Sequence, residues 1–293
     1  MGLKIETWSI AFRKKKEGLL FDDTSEFILI DNGHKGWYAD PFLYDYKGKT
    51  FLFAEYYSYK LGKGILVCSE YDDIKDCFGE FAPIIIEDYH LSYPNVFELN
   101  NKLYLMPESH KSNSLYLYEA VNFPYEWKKS KVLLRDIRLV DTTLFADDEN
   151  LFAISMRIDE SNPENHEKML LLSIDKESLD VTSIKTISDD ISIARPGGKV
   201  LSFESNVVFV TQDCKNSYGK ALNLLKAYNF NADKPCLEVI KRIQADDIDL
   251  NYAEKPSGIH TYNVSDKFEV IDLKYYRRSY YRVLRKIIRK IKG

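Results

Sequence analysis

The chain has 293 residues, of which 45% are apolar, and a formal net charge of −4. This apolar share is normal for a packed core, which excludes an intrinsically disordered chain. Aromatic residues are unusually frequent, with 21 Tyr, 16 Phe and 3 Trp. Flat rings fit the pleated, half-buried surface of a sheet, so the composition favours a fold made mostly of strands.

Charge is divided unevenly along the chain. Residues 274–293 contain nine Lys and Arg residues and no acid, so the remainder carries a net charge of −13. An acidic body argues against nucleic-acid binding by the main fold.

The N terminus lacks the apolar core of a signal peptide, and the four cysteines show no CxxC spacing. We therefore expect a cytoplasmic protein.

A hairpin pattern recurs five times along the chain. Its copies start at residues 40, 93, 141, 195 and 258, so they are 53, 48, 54 and 63 residues apart. Each hairpin is followed by further apolar segments, such as Gly64-Ile-Leu-Val-Cys-Ser69 and Ala82-Pro-Ile-Ile-Ile86. Four short strands in each unit of about 50 residues are typical of propeller blades.

The fifth unit ends after Asp272 without its two outer strands. Two segments near the N terminus, Lys4–Ile10 and Glu26–Ile30, have strand composition and would complete this blade. We therefore predict an all-β fold, a five-bladed β-propeller over residues 1–273, followed by a short amphipathic helix over 274–293. A β-sandwich is the alternative, but it does not explain both ends of the chain.

The basic tail has the spacing of an amphipathic helix. Its apolar face comprises Tyr280, Leu284, Ile287, Ile288 and Ile291, and Arg278, Arg282, Arg285, Arg289 and Lys292 lie beside or opposite it. Such a helix binds anionic lipid through its basic side chains. We expect peripheral attachment to the inner face of a membrane, and docking of the apolar stripe on the propeller is the alternative.

Hairpin geometry predicts where the polar residues of the repeats meet. Residues equidistant from a turn face each other, so we expect Asp40 opposite Glu55, Tyr93 opposite Glu108 and Asp141 opposite Met156. The innermost strands run parallel to the propeller axis, so their first residues should converge at one mouth. This mouth is expected to hold Asp40, Tyr93, Asp141, Arg195 and His260, with Glu55, Glu108, Gln212 and Asp272 one strand outward.

Carboxylates that share a concavity with Arg and His provide proton donors, proton acceptors and an anion clamp. We assign as catalytic candidates Asp40, Asp141, Glu108, Glu55 and His260. Aromatic faces beside hydrogen-bonding groups suit sugar rings. The substrate-binding candidates are Trp37, Tyr38, His90, Tyr93, Arg195, Gln212, Asp213 and Tyr218. Arg195 is expected to bind a phosphate or sugar acid, and His260 to hold a hydroxyl or relay a proton.

No metal-binding, nucleotide-binding or nucleophile motif occurs, so we expect neither a metal ion nor a cofactor.

Trp37-Tyr-Ala-Asp-Pro41 before an apolar hairpin resembles the first blade of the propeller glycosidases, the arabinanase and xylosidase group. That resemblance implies a general base at Asp40 and, at Asp141, a carboxylate that tunes and orients the acid. The Glu-Gly-Pro-like segment of that group's acid is absent, which leaves Glu108 and Glu55 as substitutes.

A second resemblance covers nearly the whole propeller. The chain is similar to the N-terminal domain of plant glucosamine inositolphosphorylceramide transferases and to stand-alone bacterial proteins. The residues that carry it are Trp37-Tyr-Ala-Asp-Pro41, His90-Leu-Ser-Tyr-Pro94, Pro107-Glu108, Phe123-Pro124 with Trp127, Ala194-Arg-Pro-Gly197, Gln212-Asp213 with Tyr218-Gly219, and Gly258-Ile-His-Thr261. The resemblance implies a role in building cell-surface glycans or glycolipids.

Two functional hypotheses follow. The first is an enzyme acting at an anomeric carbon, by glycosyl transfer or hydrolysis, with one carboxylic acid and one carboxylate as acid and base. The second is a non-catalytic glycan-binding propeller in a glycan-synthesis complex. Both predict a sugar, nucleotide-sugar or lipid-linked glycan as partner, whereas a pure protein scaffold would leave the convergent charges unexplained.

Overall fold

The computed structural model describes residues 3–16, 25–146, 150–203, 206–230, 235–250, 252 and 254–279. These residues form five antiparallel sheets, one for each blade of a five-bladed propeller. Two 3₁₀ turns, His110–Ser112 and Ala245–Asp247, are the only helical elements within these ranges. None of the helical segments in the described part of the chain is long and apolar enough to cross a membrane.

The strands follow one another blade by blade along the chain. The N-terminal strands are β1 (Leu3–Lys14) and β2 (Ile28–Leu29). Blade 1 contains β3 (Gly36–Tyr46), β4 (Lys49–Ser58), β5 (Lys63–Asp72), β6 (Cys77–Phe78) and β7 (Ala82–Ile85). Blade 2 contains β8 (Ser92–Leu99), β9 (Lys102–Glu108), β10 (Ser114–Asn122) and β11 (Glu126–Arg135). Blade 3 contains β12 (Leu139–Ala146), β13 (Leu151–Arg157), β14 (Lys168–Ile174) and β15 (Val181–Ser188). Blade 4 contains β16 (Arg195–Pro196), β17 (Leu201–Phe203), β18 (Asn206–Asp213), β19 (Ala221–Tyr228) and β20 (Cys236–Gln244). Blade 5 contains β21 (Gly258–Val264) and β22 (Phe268–Ser279).

The N-terminal strands complete the last blade, as the sequence predicts. The fifth sheet has the order β2-β1-β22-β21. Strand β1 pairs with β22 over its whole length, from Leu3 opposite Ser279 to Lys14 opposite Phe268. Joining the two ends of the chain in one sheet closes the ring and protects strand edges that would otherwise be exposed.

Strand β22 continues to Ser279, so the predicted boundary at residue 273 falls inside a strand. Residues 274–279, assigned from the sequence to the basic helix, are instead paired with β1. The opposite environments of two successive residues fit a strand here, because Tyr275 is buried and Tyr276 is exposed. The rest of the predicted helix, residues 280–293, lies outside the described residues.

Each blade packs on both of its neighbours. Five apolar clusters fill the spaces between successive blades, including the space between blade 5 and blade 1. Because both faces of a blade are buried, its central strands are continuously apolar, as in Phe51-Leu-Phe-Ala54 of β4. In the closing cluster, Ile10 of β1 packs with Leu43 and Leu52 of blade 1.

Closure of the ring makes Ile10 important for stability. Its side chain is fully buried, whereas Ile28 on the neighbouring strand β2 is 54% exposed. We expect Ile10→Ala to lower the free energy of unfolding by about 2–5 kcal/mol because it leaves a cavity between blades. The control Ile28→Ala should change it by less than about 0.5 kcal/mol. Urea unfolding of both variants measures this, and equal effects would contradict closure through β1.

Candidate active site

The innermost strands of four blades are interrupted at equivalent places. Pairing shifts register after Ala39 in blade 1, Ser92 in blade 2, Val140 in blade 3 and Ile259 in blade 5. These shifts are β-bulges, which bend a strand and re-aim its side chains. A repeated bulge at one end of the axis therefore presents a set of side chains that the regular ladder would direct elsewhere.

Three of the bulged residues have left-handed backbone conformations. The φ angles are 49° at Asp40, 49° at Tyr93 and 53° at Asp141. Positive φ is uncommon for residues other than glycine and costs on the order of 1–3 kcal/mol, so such residues cluster at functional sites. The strain coincides with the residues singled out from the repeat.

Because of the bulges, the predicted cross-strand pairs are wrong by one residue. The partners of Glu55, Glu108 and Met156 are Ala39, Ser92 and Val140 rather than the residues that follow them. Counting outward from the turn failed because each bulge inserts an extra residue on the inner strand. Even so, the structure brings the carboxyl groups of both strands together at one end of the axis, in a group that we call the axial site (Asp40, Glu55, Glu108, Asp141, Arg195, His260, Asp272).

Asp40 lies where blades 1, 2 and 5 meet. One carboxylate oxygen accepts a hydrogen bond from the Tyr93 amide at 3.2 Å and the other accepts one from the Thr261 hydroxyl at 3.0 Å. His260 Nε2 lies 3.7 Å from the same carboxylate. The His260 ring is oriented by Asp272, whose carboxylate lies 2.7 Å from Nδ1. Asp272 thus fixes an imidazole that faces Asp40.

Glu55 lies beside a histidine in a defined tautomer. His90 Nδ1 accepts a hydrogen bond from the Gly64 amide at 2.9 Å, so the proton of the neutral ring is on Nε2. His90 Nε2 lies 3.3 Å from Glu55 Oε1. Glycine is required at position 64, because a Cβ there would lie 2.5 Å from Glu55 Oε1 and 2.4 Å from the Leu91 carbonyl oxygen.

Arg195 joins the carboxyl groups of blades 2 and 3. Its Nε donates to Asp141 Oδ2 at 2.6 Å, and its Nη2 lies 3.6 Å from Glu108 Oε2. His110 Nδ1 lies 2.5 Å from the other oxygen of Glu108. Gln212 donates from its amide to Asp141 Oδ2 at 2.7 Å and to the Pro196 carbonyl. The guanidinium expected to clamp an anionic substrate is therefore already paired with two carboxyl groups.

The carboxyl groups of the axial site differ in protonation. Burial raises the pKa of Asp40 to about 6, although His260 opposes the shift. Burial and the neighbouring Asp40 and Glu108 carboxyls raise the pKa of Glu55 well above its usual range. At neutral pH Asp40 is therefore mostly ionised, whereas burial and the neighbouring carboxyl groups favour the protonated form of Glu55.

Asp141 and Glu108 form a coupled pair. Burial raises the pKa of Asp141 well above its usual range despite the Arg195 charge. Burial acts in the same sense on Glu108, but the hydrogen bond and charge of His110 and the charge of Arg195 outweigh it and lower the pKa of Glu108. The hydrogen bond between the two carboxyl groups raises the pKa of Asp141 and lowers that of Glu108, so a proton on the pair resides on Asp141 rather than on Glu108.

Aromatic rings form one wall of the site. Trp8 of β1 stacks on His260 with ring centroids 3.7 Å apart, and Tyr218 meets the same imidazole edge-on at 5.3 Å. Tyr218 is 38% exposed and lies under the Arg195 guanidinium. On the blade 1 side, Trp37 stacks in parallel on Tyr57 at 4.9 Å. Partly exposed rings beside carboxyl groups are typical of sugar sites.

Tyr93 forms the floor of the site. Its side chain is fully buried, and its hydroxyl lies 2.7 Å from the Thr143 hydroxyl and 2.6 Å from the Gly198 amide nitrogen. The ring of Tyr93 thus spans from blade 2 to blades 3 and 4. This is a structural position beneath the carboxyl groups rather than a surface for a ligand.

Two predicted substrate-binding residues point away from the axial site. Tyr38 packs on Tyr56 and Phe81 between blades, because the alternation of β3 directs it to the face opposite Trp37. Asp213 pairs with Arg242 of the neighbouring strand β20. The other candidates, His90, Gln212, Trp37 and Tyr218, contact axial-site residues or lie at its edge.

Three residues that contact the axial site were not predicted from the sequence. Trp8 comes from the strand that closes the ring, so only the pairing of β1 with β22 could have indicated it. His110 follows Glu108 by two residues, on a turn that reverses toward the site. Thr261 is next to His260, and the polar pair His260-Thr261 inside an apolar strand was the signal that could have identified it.

Asp40, His260 and Asp272 each offer one ligand atom within 4.8 Å of one another. However, Asp272 already accepts hydrogen bonds from the backbone amides of Asp40 at 2.9 Å and Thr261 at 2.9 Å, besides that of the His260 ring. The cluster is therefore explained as a hydrogen-bonded network around Asp40, and we assign no metal to it.

A separate cavity of about 510 Å³ lies at the outer part of blade 5. It is lined by residues that include Ser9, Phe27, Tyr252 and Arg277, and by none of the axial-site residues. The carboxyl groups that line it, Glu26 and Asp31, are exposed, and no buried carboxyl group of the described residues lines it. The acid-base chemistry of the described residues is thus concentrated at the axis.

Fold and site together define a five-bladed propeller with an acid-rich axial site. The chain belongs to the family described as glucosamine inositolphosphorylceramide transferase 1, N-terminal, whose sequence model matches residues 29–264. This confirms the second resemblance inferred from the sequence motifs.

Curated relatives include glucosamine inositolphosphorylceramide transferase 1 of Oryza sativa subsp. indica, 32% identical over 198 residues. That of Arabidopsis thaliana is 32% identical over 195 residues. Each match covers 64% of this chain but only 26% and 25% of the plant protein. The chain thus spans about a quarter of the length of these relatives.

Solved structures with the same fold include propeller glycosidases. The α-L-arabinofuranosidase from Podospora anserina is 11% identical, with a TM-score of 0.62, over 81% of this chain and 90% of that one. The GH62 α-L-arabinofuranosidase of Coprinopsis cinerea is 9% identical, also with a TM-score of 0.62, over 90% and 97%. A β-1,2-mannobiose phosphorylase from Listeria innocua, 9% identical, has a TM-score of 0.55 over 83% and 92%. At these identities the likeness concerns the fold alone.

Proposed function

We propose that the chain is a carbohydrate-active enzyme that acts on a glycosidic bond, by transfer or hydrolysis, in the synthesis of a cell-surface polysaccharide or glycolipid. The observation that carries the proposal is the pairing of an ionisable Asp40, with a pKa of about 6, and a Glu55 whose pKa lies well above its usual range, in one buried site. Glycosidic-bond chemistry needs one carboxylic acid and one carboxylate on the same substrate.

Each role follows from the surroundings of the side chain. Glu55 is the proton donor to the departing oxygen, because burial and the neighbouring carboxyl groups favour its protonated form and no hydrogen bond reaches its Oε1 atom. Asp40 is the base that activates water or the acceptor hydroxyl, held in place by Tyr93 and Thr261. Glu108 fits the acid role less well, because His110 and Arg195 favour its ionised form.

Asp141 and His260 are positioning residues in this scheme. Asp141 orients Arg195 and Glu108 along one wall, and His260 faces the base with its orientation set by Asp272. The names of the plant relatives, which specify a glucosamine transferase acting on inositolphosphorylceramide, support a sugar substrate. A nucleotide-sugar or a lipid-linked glycan is the corresponding donor or acceptor.

The alternative is a non-catalytic glycan-binding propeller. The specific observation in its favour is that the relatives have about three quarters of their length outside the matched region, where their chemistry can be carried out. The same aromatic wall and carboxyl groups would then bind a glycan without turning it over.

Product formation separates the two candidates. Purified wild-type protein and Asp40→Asn are incubated with nucleotide-sugars, oligosaccharides and lipid-linked acceptors, and products are detected by mass spectrometry. Turnover by the wild type that is lost in Asp40→Asn supports the enzyme. Binding of a glycan by both proteins with no product from either supports the alternative, and equal turnover by both would reject Asp40 as the base.

We further propose that the basic tail holds a cytoplasmic protein on an anionic membrane surface. Lys274 is buried and so is not available to lipid, but Arg282, Arg285, Lys286, Arg289, Lys290 and Lys292 follow the last described strand in sequence. Each basic residue near such a surface contributes about 1 kcal/mol. A tail of this kind would keep the axial site close to a lipid-linked substrate.

Vesicle sedimentation tests the tail. Full-length protein should bind anionic but not neutral vesicles, with binding weakened by salt. The deletion must start at residue 280, because residues 274–279 pair with β1 and their removal would open the ring. Removing 280–293, or replacing its six Arg and Lys residues with Gln, should abolish binding, and retained binding in both variants would reject the proposal.

A further inference from the structure

His90 lies on the connector between β7 and β8, at the edge of the axial site. Two hydrogen bonds attach this connector to Gly64 of β5. The Gly64 amide donates to His90 Nδ1 at 2.9 Å, and the Leu91 amide donates to the Gly64 carbonyl at 3.1 Å. A Cβ at Gly64 would lie 2.9 Å from His90 Cε1, so the glycine allows the ring to approach this closely. Both the ring and its backbone are therefore fixed to blade 1.

The Gly64 amide also opposes a positive charge on the His90 ring. Protonation at Nδ1 would place two N–H groups against each other and break this hydrogen bond. Burial lowers the pKa of His90; Glu108 opposes this shift, and the charges of His110 and Lys111 add to it. At neutral pH His90 is thus an uncharged ring with its hydrogen on Nε2.

The Nε2–H group of His90 faces a carboxyl oxygen that lacks a partner. Nε2 lies 3.3 Å from Glu55 Oε1, which is buried and accepts no hydrogen bond from the described residues. Charge-assisted hydrogen bonds are about 2.7–2.9 Å long, so an approach of about 0.5 Å would complete one when Glu55 is ionised.

The other groups around Glu55 make its ionised form costly. Four carboxyl groups raise its pKa, in addition to burial: Asp40, Glu108, Asp272 and Asp141. A buried carboxylate oxygen without a donor costs further free energy. The uncharged donor at His90 Nε2 is placed to offset both effects.

We propose that His90 is a positioning residue for Glu55, a neutral imidazole whose Nε2–H group stabilises the carboxylate that Glu55 becomes when it releases its proton. The inference rests on the proposed function, because it names the residue that regulates the acid of the same site. It assigns His90 to the acid rather than to the substrate. No proton leaves His90, because a neutral ring that lost its Nε2 hydrogen would become an anion.

Two substitutions separate the two contacts of the ring. His90→Gln retains an amide donor that reaches the place of Nε2, whereas His90→Asn retains an oxygen near the place of Nδ1 for the Gly64 amide. We expect the pKa of Glu55 to rise by about 1–2 in His90→Asn and to stay near the wild-type value in His90→Gln. Carbon-13 NMR of protein labelled at the glutamate carboxyl groups measures this without turnover, with the Glu55 signal assigned by its loss in Glu55→Gln.

A purely structural role for His90 predicts the reverse pattern. If the ring acts only by holding Gly64, the Gln variant should disturb the titration of Glu55 and the Asn variant should preserve it. That pattern, or equal titrations in the wild type and both variants, would overturn the inference. A wild-type Glu55 that stays protonated up to pH 9 would overturn it as well, because its carboxylate would then have too little support.

His166 is the matched control. Its Nδ1 also accepts a hydrogen bond from a backbone amide, that of Asp159 at 3.1 Å, and its Nε2 also lies near a glutamate, Glu167 at 4.0 Å. Neither partner belongs to the axial site. His166→Asn should leave the titration of Glu55 unchanged, and a shift as large as that in His90→Asn would show that the effect does not arise from the Nε2 contact.

Nitrogen-15 NMR of labelled histidine tests the state of the ring. An ordinary histidine is half protonated at about pH 6.5, whereas His90 should be neutral at that pH with its hydrogen on Nε2. A charged His90 ring, or a neutral ring with its hydrogen on Nδ1, would overturn the inference.

Kinetics separate this inference from the proposed function. With a substrate that is turned over, His90→Asn should lower kcat about tenfold with little change in KM and move the alkaline limb of the pH profile upward, and His90→Gln should restore both. If turnover occurs but the titration of Glu55 is unchanged, the inference fails and the proposed function stands. If the titration shifts as expected but no glycosidic bond is turned over, His90 still stabilises the Glu55 carboxylate and the proposed function fails.

Discussion

Replacing Glu55 with Gln is expected to lower kcat/KM on the glycosidic substrate by about 10²–10⁴-fold, the usual contribution of a general acid. Gln is isosteric with the protonated carboxyl, so folding should be preserved, and the loss should appear mainly in kcat. An aryl glycoside with an acidic departing phenol needs little protonation, so its turnover should fall much less.

The pH dependence of the rate is a second test of Glu55 as the proton donor. Activity requires an ionised Asp40 and a protonated Glu55. The wild-type rate should therefore rise through about pH 6, as Asp40 loses its proton, and fall at higher pH, as Glu55 loses its own. Glu55→Gln should remove the alkaline fall and keep the acid limb.

Glu70→Gln is the matched control for this prediction, since Glu70 forms a surface ion pair with Lys49. Its kinetics should equal those of the wild type. A Glu55→Gln enzyme that keeps its rate on poorly activated substrates, or an unchanged alkaline limb, would assign the proton donor to another group.

Arg195→Ala is expected to lower the free energy of unfolding at neutral pH by about 3–5 kcal/mol. The change leaves Asp141 and Glu108, which are 2% and 4% exposed, without the guanidinium between them. The cost should shrink at acid pH, because both carboxyl groups bind protons more readily in the variant, where the Arg195 charge no longer lowers their pKa values. Arg195→Lys retains the charge without the forked geometry and should recover part of the loss.

Denaturant unfolding at pH 7.5 and pH 5 measures this effect. The matched control is Arg138→Ala, which removes an ion pair with Glu160, a residue that is 73% exposed. Such surface pairs contribute about 0–1 kcal/mol, so the control should be nearly neutral. A loss below about 1 kcal/mol in Arg195→Ala, or one that is independent of pH, would show that the buried carboxyl groups do not depend on Arg195.

The blade architecture could be predicted because it is encoded by repetition. Apolar segments at regular spacing identify the blades, and the missing outer strands after Asp272 indicated that β1 and β2 complete the ring. These are properties of periodicity, which a single sequence contains. The end of β22 at Ser279 was harder to place, because Tyr275 and Arg278 fit both a strand and the first turn of a basic helix.

The axial site was predictable in composition and less so in geometry. The equivalent positions of Asp40, Tyr93 and Asp141 showed that the inner strands meet, but the left-handed residues that shift the register have no signature in the alternation. Ion pairs between blades could not be predicted either, because Arg195 contacts Glu108 and Asp141 only in the closed ring. Tyr38 was expected beside Trp37, but the two side chains lie on opposite faces of the same strand.

A crystal structure of the Glu55→Gln variant with its bound substrate tests the central claim most directly, because an enzyme without its acid should retain uncleaved sugar. The account predicts the glycosidic oxygen within about 2.6–3.2 Å of the residue 55 side chain, with the anomeric carbon on the side of Asp40. A sugar bound away from these two residues, with the axial carboxyl groups untouched, would contradict an acid-base site on the propeller axis.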